Sequence, residues 1–158
     1  MMRTRLMLFA GLLPGLVSAP LSARALPADK AAVMAVVDRF VAGVGARDPA
    51  AVAATLRSET GALFATEAAD GTHSLRALTH DQFTARFAPG PERYEERITH
   101  PVVELDGDAA MVWADYVFLI DGKLHHCGVD HLGLVREQGE WKIATATFTS
   151  RTTSCGKG

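Results

Sequence analysis

The chain has 158 residues and a mass of 16.9 kDa, which is enough for one domain with a substantial core and too little for two. Hydrophobic residues make up 48% of the sequence and charged residues 22%, so the composition excludes a disordered or low-complexity protein. The formal net charge of −2 offers no basic surface for nucleic acid, and we expect no nucleic-acid partner.

The N-terminal segment, residues 1–25, has the three parts of a secretory signal peptide. Residues 1–5 are short and basic, residues 6–19 are almost entirely apolar, and Ala23 and Ala25 supply the small side chains that a signal peptidase requires. The apolar run is too short to span a bilayer comfortably, although a retained anchor helix is the alternative interpretation. The pattern therefore predicts export.

The expected cleavage point lies after Ala25, so that the mature chain begins at Leu26. A cut after Ala19 also satisfies the small-residue rule, but Pro20 directly after it would hinder the peptidase. Cleavage removes three arginines and no acid, which lowers the net charge to −5. We expect a periplasmic or secreted protein with no membrane association after cleavage, and a single domain over residues 26–158.

The predicted elements of the mature chain begin with two helices. Pro27 opens the first, which should end near Gly45 and has an apolar stripe at steps of three and four, formed by Val33, Val36, Val37, Phe40, Val41 and Val44. Asp48 and Pro49 have the N-cap and first-turn identities that start a second helix, which should run to about Arg57.

A strand, a turn and a short helix follow. Residues 61–67 are predicted as a strand, and Asp70-Gly71 marks a turn over residues 69–72. Thr79 and Gln82 have the spacing of a capping box, which predicts a helix that runs to Phe87.

Four alternating segments complete the chain, at residues 94–105, 109–120, 124–136 and 141–150. Asp-Gly pairs at residues 106–107 and 121–122 separate the first three segments, and Asp-Gly between alternating runs is a strong hairpin signal. Helices first and an antiparallel meander last indicate an α+β domain.

The last strands resemble those of the NTF2-like superfamily, in its SnoaL-like or lumazine-binding branch. The resemblance rests on the segments MVWADYVF (111–118), HCGVD (126–130), LVR (134–136) and GEWKI (139–143), with the closing Cys155 typical of an exported branch. It implies a cone in which N-terminal helices pack on a curved antiparallel sheet. The superfamily includes isomerases, cyclases, dehydratases, epoxide hydrolases and non-catalytic binding proteins, so the resemblance does not select an activity.

Two cysteines, Cys127 and Cys155, remain in the mature chain. An isolated pair in an oxidising compartment tends to form a disulfide, so we expect one here. The alternative is a buried thiol on a strand and a free thiol in the tail. No acid–base partner is spaced to make either cysteine a catalytic thiol.

Two-residue turns at residues 121–122 and 138–139 would place one set of side chains on the face that lines a pocket. This predicted ligand-binding set consists of Trp113, Asp115, His126, Asp130, Thr145 and Thr147. A three-residue final loop would move the last strand by one residue and exchange its contribution. The opposite face, with Tyr116, Phe118 and Phe148, is apolar and is predicted to form a homodimer.

Three interpretations of function remain open. In the first, the cone binds a small, largely apolar or aromatic ligand, with Trp113 as a stacking surface and His126 and Asp130 as polar anchors. In the second, the cone is an isomerase, cyclase or dehydratase with Asp115 or Asp130 as base and His126 as acid. In the third, the domain is a structural module. No cofactor motif is present, and we expect neither a cofactor nor a metal.

Overall fold

The structure is a computed structural model that describes residues 27–156, so the predicted signal peptide and its cleavage site lie outside the described residues. Three α-helices and a 3-10 turn precede or interrupt the strands: α1 (Pro27–Ala46), α2 (Pro49–Thr55), α3 (His80–Thr84) and the 3-10 turn Ala85–Phe87.

The helix termini follow from local sequence chemistry. The Asp48 carboxylate accepts hydrogen bonds from the backbone N–H groups of Ala50 and Ala51 at 2.9 and 3.0 Å, and this N-cap starts α2. The Thr79 hydroxyl accepts from the N–H of Gln82, and the Gln82 side chain accepts from the N–H of Thr79. The predicted capping box of α3 is therefore confirmed.

Six strands form one curved, open sheet in the order β2-β1-β6-β5-β4-β3. They are β1 (Ala62–Glu67), β2 (His73–Leu78), β3 (Tyr94–Asp106), β4 (Ala109–Ile120), β5 (Lys123–Glu137) and β6 (Glu140–Arg151). All neighbouring pairs are antiparallel except β1 and β6, which are parallel. The α+β prediction is confirmed, with one strand pair that makes the sheet mixed.

Two of the predicted hairpin turns have the expected geometry. Asp121 and Gly122 both have positive φ, 52° and 76°, as a type I′ turn requires, and Ile120 pairs with Lys123. Gln138 and Gly139 also have positive φ, 52° and 86°. The turn lengths are therefore as predicted at both ends of β5.

Beyond these turns, two β-bulges shift the register of β5 with β4 and with β6, and a third irregularity lies between Thr99 and Val102 of β3. Phe118 pairs with His126 while Leu119 pairs with Leu124, so His125 is an extra residue in β5. In the same way Ala144 is an extra residue in β6. Beyond a bulge, each residue pairs with a partner one position away from the one that the turn predicts. Because successive side chains of a strand point to opposite faces, the predicted face is wrong for β4 and for the end of β6.

One face of the sheet packs against the helices and forms the core. α1 buries its apolar stripe there, and the same face carries Tyr116, Phe118 and Phe148, all of them buried within the chain. The prediction that these three side chains face a partner subunit is therefore wrong. The physical reason is again the bulges, which turn the even-numbered residues of β4, and those of β6 after Ala144, toward the helices.

The C-terminal segment curls back onto the outer face of β5. After Arg151 the chain turns through Ser154 and Gly156, which have φ of 58° and 90°. This turn brings the Cα of Cys155 to 5.6 Å from that of Cys127, and the two form a disulfide. The predicted disulfide is thus present. Within residues 27–156, no helix is both long enough and apolar enough to cross a bilayer.

We expect the disulfide to contribute strongly to stability, because it links cysteines 28 positions apart in the chain. Loss of this loop closure should lower the free energy of unfolding by about 3 to 4 kcal/mol. The measurement is urea unfolding of the oxidised protein, the reduced protein and Cys155→Ser. The reductant should have no further effect on the variant, and an unchanged midpoint on reduction of the wild type would contradict the expectation.

Candidate functional site

A cavity of about 450 Å³ lies between the helices and the inner face of the sheet. Aromatic rings form most of its wall, and they are Phe40, Phe64, Phe83, Phe87, Tyr94, Tyr116, Phe118 and Phe148. Val44 and Ile120 complete the apolar surface. The polar lining consists of four side chains, Arg86, Glu96, His125 and His126. An apolar pocket with a few convergent polar groups is the usual form of a small-molecule site.

The aromatic wall is held in place by ring-to-ring packing between different elements. Phe148 of β6 lies 5.0 Å from Phe64 of β1 and 5.7 Å from Phe83 of α3, measured between ring centres. Tyr94 of β3 meets Phe118 of β4 edge-on at 5.2 Å. Such pairs add to the stability that burial already provides, so the wall is shaped before any ligand binds.

His126 of β5 lies between two of these rings. Its imidazole stacks on Phe118 at 4.9 Å and meets Tyr116 edge-on at 5.5 Å. Its Nδ1 lies 2.8 Å from the Nδ1 of His125, the bulged residue beside it. Burial, with the charges of His125 and Arg86, lowers the pKa of His126 to about 4. The His126 ring is therefore neutral at pH 7, and it cannot act there as the charged acid that the enzyme interpretation assigned to it.

Two carboxyl groups lie on the inner face without hydrogen-bond partners among residues 27–156. Both oxygens of Asp130 are buried in this way, and only 1% of that residue is exposed. Glu96 of β3 lines the cavity, and its Oε1 is likewise buried and unpaired. An unpaired buried carboxyl group is costly, so stability alone does not account for the pair.

Burial raises the pKa of both acids. It raises the pKa of Asp130 to about 7. Burial, together with the negative charge of Asp130, raises the pKa of Glu96 well above its ordinary value. Two carboxylates in one apolar site repel each other, so at least one group of the pair keeps its proton at neutral pH. The pair can therefore take up or release a proton near pH 7, which is the property of a general acid–base group.

Tyr116 stands on β4, the strand between those of Glu96 and Asp130. Its hydroxyl donates a hydrogen bond of 2.8 Å to the backbone carbonyl of Thr149. Burial and the charges of the two acids raise the pKa of Tyr116, so the phenol stays protonated. Gly128 pairs with Tyr116, and a Cβ at that position would clash with the carbonyl oxygen of Thr149. The glycine thus allows the close approach that fixes the tyrosine.

The structure brings two of the predicted site residues to the inner face and leaves four outside. His126 lines the cavity and Asp130 is buried behind the wall. The other four, Trp113, Asp115, Thr145 and Thr147, point away from the cavity, and their predicted pocket-facing position is wrong because the bulges reverse the pairing.

Two of these outer residues have partners of their own. Trp113 is 48% exposed and packs beside His131, with 5.8 Å between ring centres. The Asp115 carboxylate lies 3.3 Å from Nδ1 of His100 rather than near His126. The predicted Asp115–His126 pair is therefore not formed.

Four side chains of the candidate site were not identified from the sequence: Glu96, Arg86, His125 and Tyr116. Glu96 had a readable signal, because it alternates with Tyr94 and Ile98 on β3 and so falls on an otherwise apolar face. Tyr116 was assigned to the wrong face by the bulge. Within the described part of the chain, no group of three or more His, Cys, Asp or Glu side chains is arranged to hold a metal ion.

Comparisons with known proteins agree with this architecture. A model of the SnoaL-like domain matches residues 27–147, while no curated protein matches the chain in sequence. A protein provisionally named as a dehydratase of the NTF2-like family, from Streptomyces avermitilis, is 14% identical and has a TM-score of 0.63 over 77% of this chain and 95% of that chain.

Two further solved structures are similar to the same extent. ActVI-ORFA from Streptomyces coelicolor is 17% identical, with a TM-score of 0.59 over 76% of this chain and 95% of its own. An NTF2-like protein of unknown function from Silicibacter pomeroyi is 21% identical, with a TM-score of 0.58 over 77% and 94%. At these identities the likeness shows the fold alone, and it confirms the predicted NTF2-like cone.

We expect Asp130 to make folding less favourable as the pH rises. Its pKa of about 7 in the folded protein lies above the ordinary 3.8, so the unfolded chain releases a proton that the folded protein retains. The stabilisation is therefore present below about pH 4 and is lost as the pH rises through 7. Asp130→Asn should exceed the wild type in unfolding free energy at neutral pH, by at most about 4 kcal/mol, and the difference should vanish at about pH 4.

Urea unfolding between about pH 4 and 8 provides the measurement for this expectation. Asp38→Asn is the matched control, because Asp38 is an exposed acid on α1 and its replacement removes the same charge. Parallel stability profiles for Asp130→Asn and the wild type would show that Asp130 titrates as an ordinary acid.

Proposed function

Because the chain belongs to the SnoaL-like domain family, we propose that it binds a small, flat, largely aromatic molecule in the cavity between the helices and the sheet. The observation that carries this proposal is the wall of eight aromatic rings around about 450 Å³. This volume is in the range of cavities that hold metabolite-sized ligands. The rings present flat faces and edges that match a planar molecule better than a flexible chain.

The polar groups of the cavity support a defined orientation for such a molecule. Glu96 can donate or accept a hydrogen bond, depending on its protonation, and the neutral His126 can do either through its ring nitrogens. A planar molecule with one carbonyl or hydroxyl group would satisfy Glu96, whose Oε1 has no partner among the described residues. Affinity would then come from the rings and orientation from these polar contacts.

A second candidate function is proton transfer on the bound molecule, and the Glu96–Asp130 pair favours it. In this mechanism the Glu96 carboxylate removes a proton from a carbon next to a carbonyl group, and the C–H electron pair moves into an enolate. Glu96 then returns the proton to another carbon of the same molecule, so nothing is consumed. Its raised pKa makes Glu96 a stronger base in those molecules in which it is ionised.

Asp130 would act in this mechanism as a positioning residue that sets the charge of Glu96. It is buried behind the cavity wall, and its negative charge raises the pKa of Glu96. The similar fold of a protein provisionally named as a dehydratase supports acid–base chemistry in a cone of this kind.

Export and pairing of two subunits are further parts of the proposal. The signal-peptide pattern of residues 1–25 and the Cys127–Cys155 disulfide support an oxidising compartment, and N-terminal sequencing of secreted protein would test cleavage after Ala25. The exposed apolar side chains Trp113 and Val102 support a homodimer through the outer face of the sheet, which sedimentation analysis would test.

We expect Tyr94→Ala to weaken binding of a neutral aromatic probe such as 2-acetylnaphthalene. Tyr94 forms part of the cavity wall and meets Phe118 edge-on, so its loss removes ring contact from the ligand. The dissociation constant in a fluorescence titration should rise at least tenfold, or about 1.4 kcal/mol. Trp113→Ala is the matched control, since Trp113 is aromatic but lies outside the cavity. Loss of binding in the control instead would place the ligand on the outer face.

The proton-transfer candidate predicts that the protein accelerates hydrogen–deuterium exchange at the α carbons of an enolisable aromatic ketone such as 2-tetralone. Glu96→Gln should lower this rate by about a hundredfold or more, which is the usual contribution of a general base. Asp115→Asn should leave it unchanged, because Asp115 is an exposed acid on the outer face. The rates are followed by proton NMR in deuterated buffer. If the exchange rate with the wild type equals the rate in buffer, the proton-transfer candidate is contradicted and only the binding function stands.

A further inference from the structure

Arg86 lies at the rim of the cavity with its charge unpaired. Its guanidinium carbon is 5.2 Å from the centre of the Phe64 ring, and the side chain contributes to the cavity lining. Within residues 27–156 it forms no salt bridge, whereas Arg47, the cation that covers Tyr94, is paired with Glu92. The cation of Arg86 is therefore available to a group that enters the cavity.

Other nitrogen-bearing side chains lie close to this cation. His125 and His126 line the same cavity, and Arg86 is near enough to His126 to help lower its pKa. The carboxyl group of Glu96 is not neutralised by Arg86, because its raised pKa comes from burial and from Asp130. The cavity thus contains a region around Arg86 that attracts an anion and, apart from it, a carboxyl group that has no cation to offset a second negative charge.

We propose that the ligand is an aromatic acid whose carboxylate is bound by Arg86 and the adjacent histidines while its ring lies among the aromatic side chains. The inference rests on the proposed function and adds the chemical class of the ligand. A guanidinium group binds a carboxylate through two parallel N–H donors, which also fixes its orientation. Arg86 is exposed, so the carboxylate stays partly hydrated and its charge is not moved into the apolar interior.

The same arrangement orients the molecule along the cavity. A carboxylate beside Glu96 would be buried among apolar side chains and away from the Arg86 cation, where an uncompensated charge is costly. The anionic end is therefore directed to Arg86, and the uncharged part of the molecule is directed to Glu96. This places any carbonyl or hydroxyl group on the ring system within the region of the carboxyl pair.

The experiment compares 2-naphthoate with 2-naphthamide, which have the same ring system and differ in charge. Isothermal titration of the full chain at neutral pH should show 2-naphthoate binding at least tenfold more tightly than the amide. Arg86→Gln should remove this preference and leave the amide affinity within about twofold of the wild type. Arg39→Gln is the matched control, because Arg39 is an exposed arginine on α1 outside the cavity, and it should keep the preference.

The outcomes separate this inference from the proposed function. Equal affinity of the wild type for the two probes, or a preference that survives Arg86→Gln, would overturn the anionic ligand while binding itself stands. If Arg86→Gln lowers the affinity for both probes equally, the residue shapes the cavity rather than binding a charge. This result would also overturn the inference of an anionic ligand. Failure of both probes to bind the wild type would contradict the proposed function.

Discussion

The extra residue at His125 is the constraint on which the site depends. It places two residues of β5 opposite one of β4, and every pairing further along the two strands follows from that count. Tyr116 and Phe118 thereby face the helices together with His126 and Asp130. Without the bulge, the aromatic wall and the two polar side chains of β5 would lie on opposite faces of the sheet. A second bulge at Ala144 shifts the register of β6 by one residue in the same way, so that Phe148 pairs with Asp130 and lies in the aromatic wall.

The cavity combines two requirements that oppose each other. Aromatic rings that are suited to a flat molecule also exclude water, and exclusion of water makes an ionised carboxylate unfavourable. The Glu96–Asp130 pair resolves this conflict by holding a proton at neutral pH, at the expense of folding stability. The Cys127–Cys155 disulfide lies on β5, the strand that also carries Asp130. A stabilising cross-link and one of the two destabilising acids are thus found on the same strand.

Much of the fold could be predicted from the sequence, because the relevant signals are local. The stripe of α1, the capping box at Thr79 and the Asp121-Gly122 turn each depend on a few adjacent residues, and all three are confirmed. Strand β2 was not predicted, since an exposed edge strand shows little apolar alternation.

The candidate site was less predictable because its composition depends on long-range register. His126 and Asp130 were correctly placed on one face because both follow the bulge at His125, so the alternation of side chains between them is not interrupted. Trp113 and Thr147 were misplaced because their faces depend on pairing with another strand, and no residue type marks a bulge at His125 or Ala144. Glu96 could have been recognised from alternation within β3, where it shares a face with Tyr94 and Ile98, but not from pairing with β4, because the register shifts between Thr99 and Val102.

The helices contribute only apolar side chains and the rim cation, with Phe40 and Val44 of α1 as one wall, while the titratable pair belongs to the sheet. Mutation of the α1 wall can therefore reshape the accepted ligand without altering the groups that exchange protons. Under the proposed function, ligand selectivity and proton transfer can therefore change independently in evolution.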